Sequence, residues 1–297
     1  MVSVDRYFDG VLANNTTYTM TEDMPRTEPF ALAPGNNGTG ITWYGNGFSV
    51  LVTNGSWPGL FPCAVDVSTL GIKSGGSTAQ AAGWFFQNGV GGSATNCYSV
   101  GNINLFGGGI FGSESSGTAT NCYSTGSIQT YGGGICGSNS TGTATNCYST
   151  GGIYSGGGGI FGSGCSGTAT NCYSTGNMDP DFGGGAGGIF GSYSSGRATY
   201  CYSTGNIADG GGDIFGSFSS GTASIVGHTT GWSDDDARAF LAGTPDQIPG
   251  TGWTWISASV GTPFTLTLET GPQPTTTTTT EATTTTEATT TTEATTT

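Results

Sequence analysis

The chain has 297 residues with 57 glycines, and five Lys plus Arg against 19 Asp plus Glu leave a formal charge of −14. That sign repels nucleic acid and anionic membrane, which argues against both as partners, and no uncharged apolar run reaches the roughly 18 residues of a membrane span. Charged residues make up only 8%, far below the roughly 25% of ordinary domains, so the predicted surface is neutral and polar.

The opening stretch, MVSVDRYFDGVLANN, has neither a basic n-region nor an apolar h-region, so it does not read as a secretory signal. Residues 1–40 are expected to form an N-terminal cap, because a stack of coils must cover its unpaired end. The strand-rich segments Ile41–Val52 and Val65–Ile72 then read as the first coils of a right-handed parallel β-helix. The solenoid is predicted over 41–230. Eight cysteines without a visible export signal are expected to remain thiols.

GTATNCYSTG stands at 117–126, 142–151 and 167–176, and its cysteine recurs at Cys97, Cys122, Cys147, Cys172 and Cys201, at intervals of 25, 25, 25 and 29. After each come a small apolar residue (Ile103, Ile128, Ile153, Met178, Ile207), a glycine run, and an apolar pair such as Ile110-Phe111. The glycine content and the absence of a 3.6-residue period exclude helical repeats; short strands between turns fit instead. If each unit is one coil, identical residues stack about 4.7–4.9 Å apart and every position becomes a column. The cysteines then form an inward ladder of small apolar side chains. In-register thiols point in parallel and rarely meet disulfide geometry.

These residues, G-x-A-x-N-C-Y-S-T-G-x-I followed by G-G-G-I-F-G-S, resemble the GLUG repeat of bacterial surface and adhesin-type proteins, also found in proteins of large DNA viruses. The resemblance covers about 91–226 and implies a solenoid and a surface role. Ala119, Ala144, Ala169 and Ala198 stand where the family more often has Ile or Val, which implies a slimmer or less well filled core.

Beyond the repeats, Ser233 reads as an N-cap with acids in the first turn and Gly243 as a stop, so a short helix is expected inside a C-terminal cap over 231–271. Residues 272–297, built on EATTTT, have nothing to bury and read as a disordered Thr-rich tail resembling O-glycosylated stalks.

No nucleophile motif surrounds the single histidine, and no Lys follows a glycine run, so no catalytic residue is assigned. The interval of 29 contains Asp179 and Asp181, and the next coil contains Asp209 and Asp213. Stacking would gather these four carboxylates at one edge. They read as a solvated bulge, as oxygen ligands for Ca²⁺, or as the acid and base of a polysaccharide hydrolase or lyase. Triplets such as Thr118-Ala-Thr120 would form a two-column hydroxyl grid, similar to the ice-binding faces of some solenoids. Tyr98, Tyr123, Tyr148, Tyr173 and Tyr202 would form either a sugar-stacking stripe or part of the core. The leading expectation is a non-enzymatic all-β rod or fibre component at a virion or cell surface, attaching to glycans or to a cell or particle surface, with self-association into fibres. The absence of an export signal favours the virion.

Overall fold

The computed structural model describes residues 1–179, 185–207, 210–224, 227–228, 253–256 and 265–268. It is a parallel β-solenoid. One ten-stranded sheet runs from Val2–Val4 through Thr17–Met20, Thr42–Tyr44, Asp66–Ser68, Ser93–Thr95 and the Thr-Ala-Thr triplets to Thr222–Ser224. The second runs from Met24–Arg26 through Ser49–Val52, Gly71–Thr78 and Tyr98–Asn102, then through the Tyr-Ser pairs, to Gly227–His228. A third wall has no extended strands. It consists of single parallel bridges in columns, Ile103–Ile128–Ile153–Met178, Gly108–Gly133–Gly158–Gly187 and Phe86–Phe111–Cys136–Phe161.

Each part of the repeat has a reason to lie where it does. In Thr-Ala-Thr the β-branched residues suit a half-exposed strand, and alternation turns the alanine inward: Ala94, Ala119, Ala144, Ala169 and Ala198 are fully buried. The chain then turns at a left-handed residue, Asn96, Asn121, Asn146 or Asn171, with φ of 52 to 55°; asparagine tolerates that conformation best after glycine. Their amides continue the ladder, Nδ2 of Asn121, Asn146 and Asn171 donating to Oδ1 of the preceding asparagine at 2.9, 3.1 and 3.1 Å. The turn aims Cys and the second residue of Tyr-Ser inward.

Glycine is required at four successive rungs of one column. A Cβ at Gly109, Gly134, Gly159 or Gly188 would run into the carbonyl of the residue one coil on and into the inward serine of the second sheet, Ser124, Ser149, Ser174 or Ser203. The serine side chain fills the space the glycine leaves empty, which explains why the two columns occur together.

Residues 1–40 depart from the expected cap. Val2–Val4 pairs in parallel with Tyr18–Met20, and Thr17–Thr19 with Thr42–Tyr44, so the solenoid begins at Val2 and not near Gly40. The offset is 16 residues between Val2 and Tyr18, 25 between Thr17 and Thr42, 24 between Thr42 and Asp66 and 27 between Asp66 and Ser93. A coil needs inward apolar residues, here Val4, Leu12, Met20, Met24 and Phe30, but it does not need identical ones, so these coils show no period. The predicted helix at 231–243 and the Thr-rich tail at 272–297 lie outside the described residues. Within the predicted C-terminal cap, Trp253–Ile256 and Thr265–Leu268 form an antiparallel pair.

Candidate functional site

The outward positions of the first sheet form two columns. Thr17, Thr42, Asp66, Ser93, Thr118, Thr143, Thr168, Arg197 and Thr222 stand in register, with Thr95, Thr120, Thr145, Thr170 and Thr199 beside the middle of that run. Side chains of this column link across rungs, Thr143 Oγ1 donating to Thr118 Oγ1 at 3.2 Å, and Ser93 Oγ donating to Asp66 Oδ1 at 2.7 Å. The expected grid therefore exists over four rungs, Ser93 to Thr168, and is interrupted by Asp66 and Arg197. Its first column is the more exposed; the second is half-buried.

The tyrosines form a different kind of array. Rings of Tyr98, Tyr123, Tyr148, Tyr173 and Tyr202 stack with centroids 5.1, 4.8, 4.9 and 5.2 Å apart and planes within 11°. Lys73 Nζ covers the outer face of Tyr98 at 5.7 Å, and Tyr98 Oη meets Ser49 Oγ at 3.1 Å. Tyr148, Tyr173 and Tyr202 are buried. Burial pushes the Tyr123 phenol up to about 12 and the phenols of Tyr148, Tyr173 and Tyr202 up as well. The faces a sugar would stack on are taken by the neighbouring rings. Of the two readings of this stripe, core is the one that describes its buried members.

The thiols line the interior. Cys97, Cys122, Cys147, Cys172 and Cys201 are free and fully buried. Each donates to the carbonyl two residues before it at 3.3 Å. From Cys122 onward each also faces the alanine carbonyl of the preceding coil, at 3.3 to 3.7 Å. Cys165 sits in a serine column: Ser140 N donates to its sulfur at 3.4 Å, and Cys165 N donates to Ser194 Oγ at 3.2 Å. Burial pushes the thiols of Cys97, Cys136, Cys147 and Cys201 up and that of Cys165 up to about 12, so these are poor nucleophiles.

Asp181 and Asp209 lie outside the described residues. Asp179 follows Met178 in the isoleucine column, its N–H donating to Ile153 O at 3.0 Å. Asp213 stands opposite Gly188 in the glycine column, its carbonyl accepting from Ser203 Oγ at 2.8 Å. The two belong to different columns, and among the described residues no three His, Cys, Asp or Glu side chains stand close enough together to hold a metal ion.

Besides the asparagine turn, each coil makes two further left-handed corners, and they stand side by side: Ser113, Ser138, Ser192 and Ser217 each donate Oγ to the carbonyl seven residues back, at Phe106, Tyr131, Gly185 and Gly210, at 2.5 to 2.7 Å. The first corner is occupied by Phe106, Tyr131, Gly156, Gly185 and Gly210, the second by Glu114, Asn139, Gly164, Tyr193 and Phe218. Tyr193 and Phe218 adopt φ of 58 and 59°, which costs each of order 1–3 kcal/mol for a bulky residue. They stack at 5.2 Å and 15°, yet are 61% and 80% exposed. The signal available in the sequence is the third place of G-S-x-S-S-G, which differs in every coil, and it reads as a polar turn.

No family model matches the chain, and no curated protein matches it in sequence. Among solved structures it is similar to a Bacteroides ovatus protein described as a "putative immunoglobulin A1 protease", with 18% identity, a TM-score of 0.49, and coverage of 82% of this chain and 83% of that one. That name is a statement about the other protein.

Proposed function

We propose that this solenoid is a non-enzymatic attachment rod of the GLUG type, displayed at a virion or cell surface, that holds neutral glycans or a particle surface through many equivalent weak contacts. The observation that carries the reading is the register: the Ser93–Thr168 hydroxyl columns repeat the same groups coil after coil. A ligand held at one rung meets the same chemistry at the next, so binding accumulates by multivalency. The sparse charge of the repeats favours an uncharged partner, and the same face would allow lateral association of rods into fibres.

The test is a panel of insoluble polysaccharides, scored for retention of the protein and for release of reducing ends, with calcium and with chelator. Retention without release is expected. Release of reducing ends would overturn the non-enzymatic reading and turn attention to Asp179, Asp181, Asp209 and Asp213 as hydrolase or lyase carboxylates. Loss of retention in chelator would make the same four the candidates for a calcium site.

A further inference from the structure

We propose that the Tyr193–Phe218 pair is a carbohydrate-binding platform, the point at which the rod grips a neutral sugar ring. It rests on the attachment reading but names a site that reading does not require. Three observations converge on it. These two aromatics occupy left-handed corners, at φ of 58 and 59°, where earlier coils place Glu114, Asn139 and Gly164; backbone strain held at an exposed corner is a feature of functional positions. The other aromatic ladders of the same coils, Phe190–Phe215 and Tyr173–Tyr202, are largely withdrawn from solvent, whereas this one is 61% and 80% exposed. The adjacent corner carries Gly185 and Gly210, so among the described residues this corner adds no side chain beside the rings.

The chemistry around the pair selects the partner. Its sequence neighbours are serines, in Gly-Ser-Tyr193-Ser-Ser and Gly-Ser-Phe218-Ser-Ser, and no charged residue occurs in either pentad. A flat ring face with its negative quadrupole, with Ser195 and Ser220 as the exposed serines of the two pentads and the hydroxyls of Ser192, Ser194, Ser217 and Ser219 bonded to carbonyls of this chain, fits the C–H face of a neutral pyranose better than an acidic sugar or a phosphate. The two rings are parallel, stacked at 5.2 Å and 15°, so they cover each other's inner faces and the pair offers its outer faces and an edge about 5 Å deep, matched to the stacking period of the coils.

The experiment uses the full chain and compares it with Tyr193→Asn/Phe218→Asn on microcrystalline cellulose, chitin and granular starch. Asparagine is the residue this corner already uses at Asn139, with φ of 55°, so the variant is expected to melt no lower than the parent. Retention of the parent on at least one polysaccharide, reduced at least tenfold in the variant but unchanged in Tyr7→Asn, an aromatic 84% exposed outside both the hydroxyl columns and this corner, is the expected result. Equal retention of parent and double-asparagine variant would overturn the platform while leaving the attachment reading intact. Retention of neither would overturn both. A lower melting temperature in the double-asparagine variant would show that the rings pack against this chain's own later residues, which also overturns the platform.

Discussion

The first coils and the regular repeats solve the same packing problem in opposite ways. Between Val2 and about residue 90 the interior holds Trp43, Trp57, Trp84, Phe30, Phe61, Phe85 and Phe86, all buried, tilted against one another at varied angles. Trp43 alone touches Phe8, Tyr18, Phe30 and Phe61 at centroid distances of 6.0, 5.3, 4.7 and 5.8 Å. From Ser93 onward the interior is alanine, cysteine, serine and isoleucine in strict columns, with rings only in parallel stacks such as Phe161–Phe190 at 4.8 Å and 6°. Large side chains can interlock across coils of unequal length. Small ones leave no slack, so each coil must copy the last.

The comparison is broken most sharply at Trp43. Trp43→Ala should destabilise by about 3–5 kcal/mol, the cost of emptying a buried aromatic site, and Trp43→Phe by much less, since the indole Nε1 has no hydrogen-bond partner to lose. Urea midpoints measure both. A loss under about 1 kcal/mol for Trp43→Ala would mean that the irregular coils do not depend on this cluster.

In the repeats the corresponding fault is an added atom rather than a lost one. Gly134→Ala places a methyl against Gly159 O and Ser149 Cβ, backbone and a short buried side chain that cannot swing away. Overpacking of this kind costs about 1–3 kcal/mol. Pairing it with Ser149→Gly should recover part of the loss, and a double-mutant cycle with no coupling would refute the serine-in-glycine packing.

The same contrast decides what was legible in the residues. The solenoid could be read from GTATNCYSTG because a column of small residues demands repetition, and repetition is visible without a structure. The coils before Ser93 are legible only in part, and residues 1–40 read as a cap, because Val4, Leu12 and Met20 share inwardness but not identity. The tyrosines' fate was open because i and i+2 spacing gives a strand face but not how far the neighbouring wall covers it. Counting from each cysteine put Asp179 and Asp213 near one edge, but the count does not say which corner a residue turns, and Asp213 turned with the glycines. Tyr193 and Phe218 give no signal of a site in the sequence, since a turn position is read by what its backbone needs and these two violate that need.

Alkaline pH separates the regions by chemistry instead of shape. Seven of the eight cysteines lie after Ser93 and are buried, while Cys63 is half-buried. A thiol whose folded pKa is raised, as burial raises those of Cys97, Cys136, Cys147, Cys165 and Cys201, keeps its proton in the native state after the unfolded chain has lost it. Its contribution is therefore intact below the unfolded value of about 8.5 and is lost as pH climbs toward the folded value, about 12 for Cys165. Stability to urea should fall from about pH 8.5 upward. Native-state labelling with a thiol reagent at pH 8 should modify Cys63 well ahead of the rest. A flat pH profile, or rapid labelling of all eight, would show the ladder to be open to solvent.

The smallest effect is the most discriminating about why the repeats use asparagine. Asn146 holds φ of 54°, donates to Asn121 and accepts from Asn171, so its substitution mixes a lost ladder with a strained backbone. Asn146→Gly removes the amide and leaves the left-handed conformation free; Asn146→Ala removes the same amide and adds the strain. Alanine should therefore be the worse of the two by about 1 kcal/mol, the reverse of its usual advantage over glycine. If alanine matched glycine, the amide ladder alone would account for the column. Tyr200 occupies the next place at φ of 55° without an amide, which already argues that the corner itself is set by the coil and that asparagine relieves it.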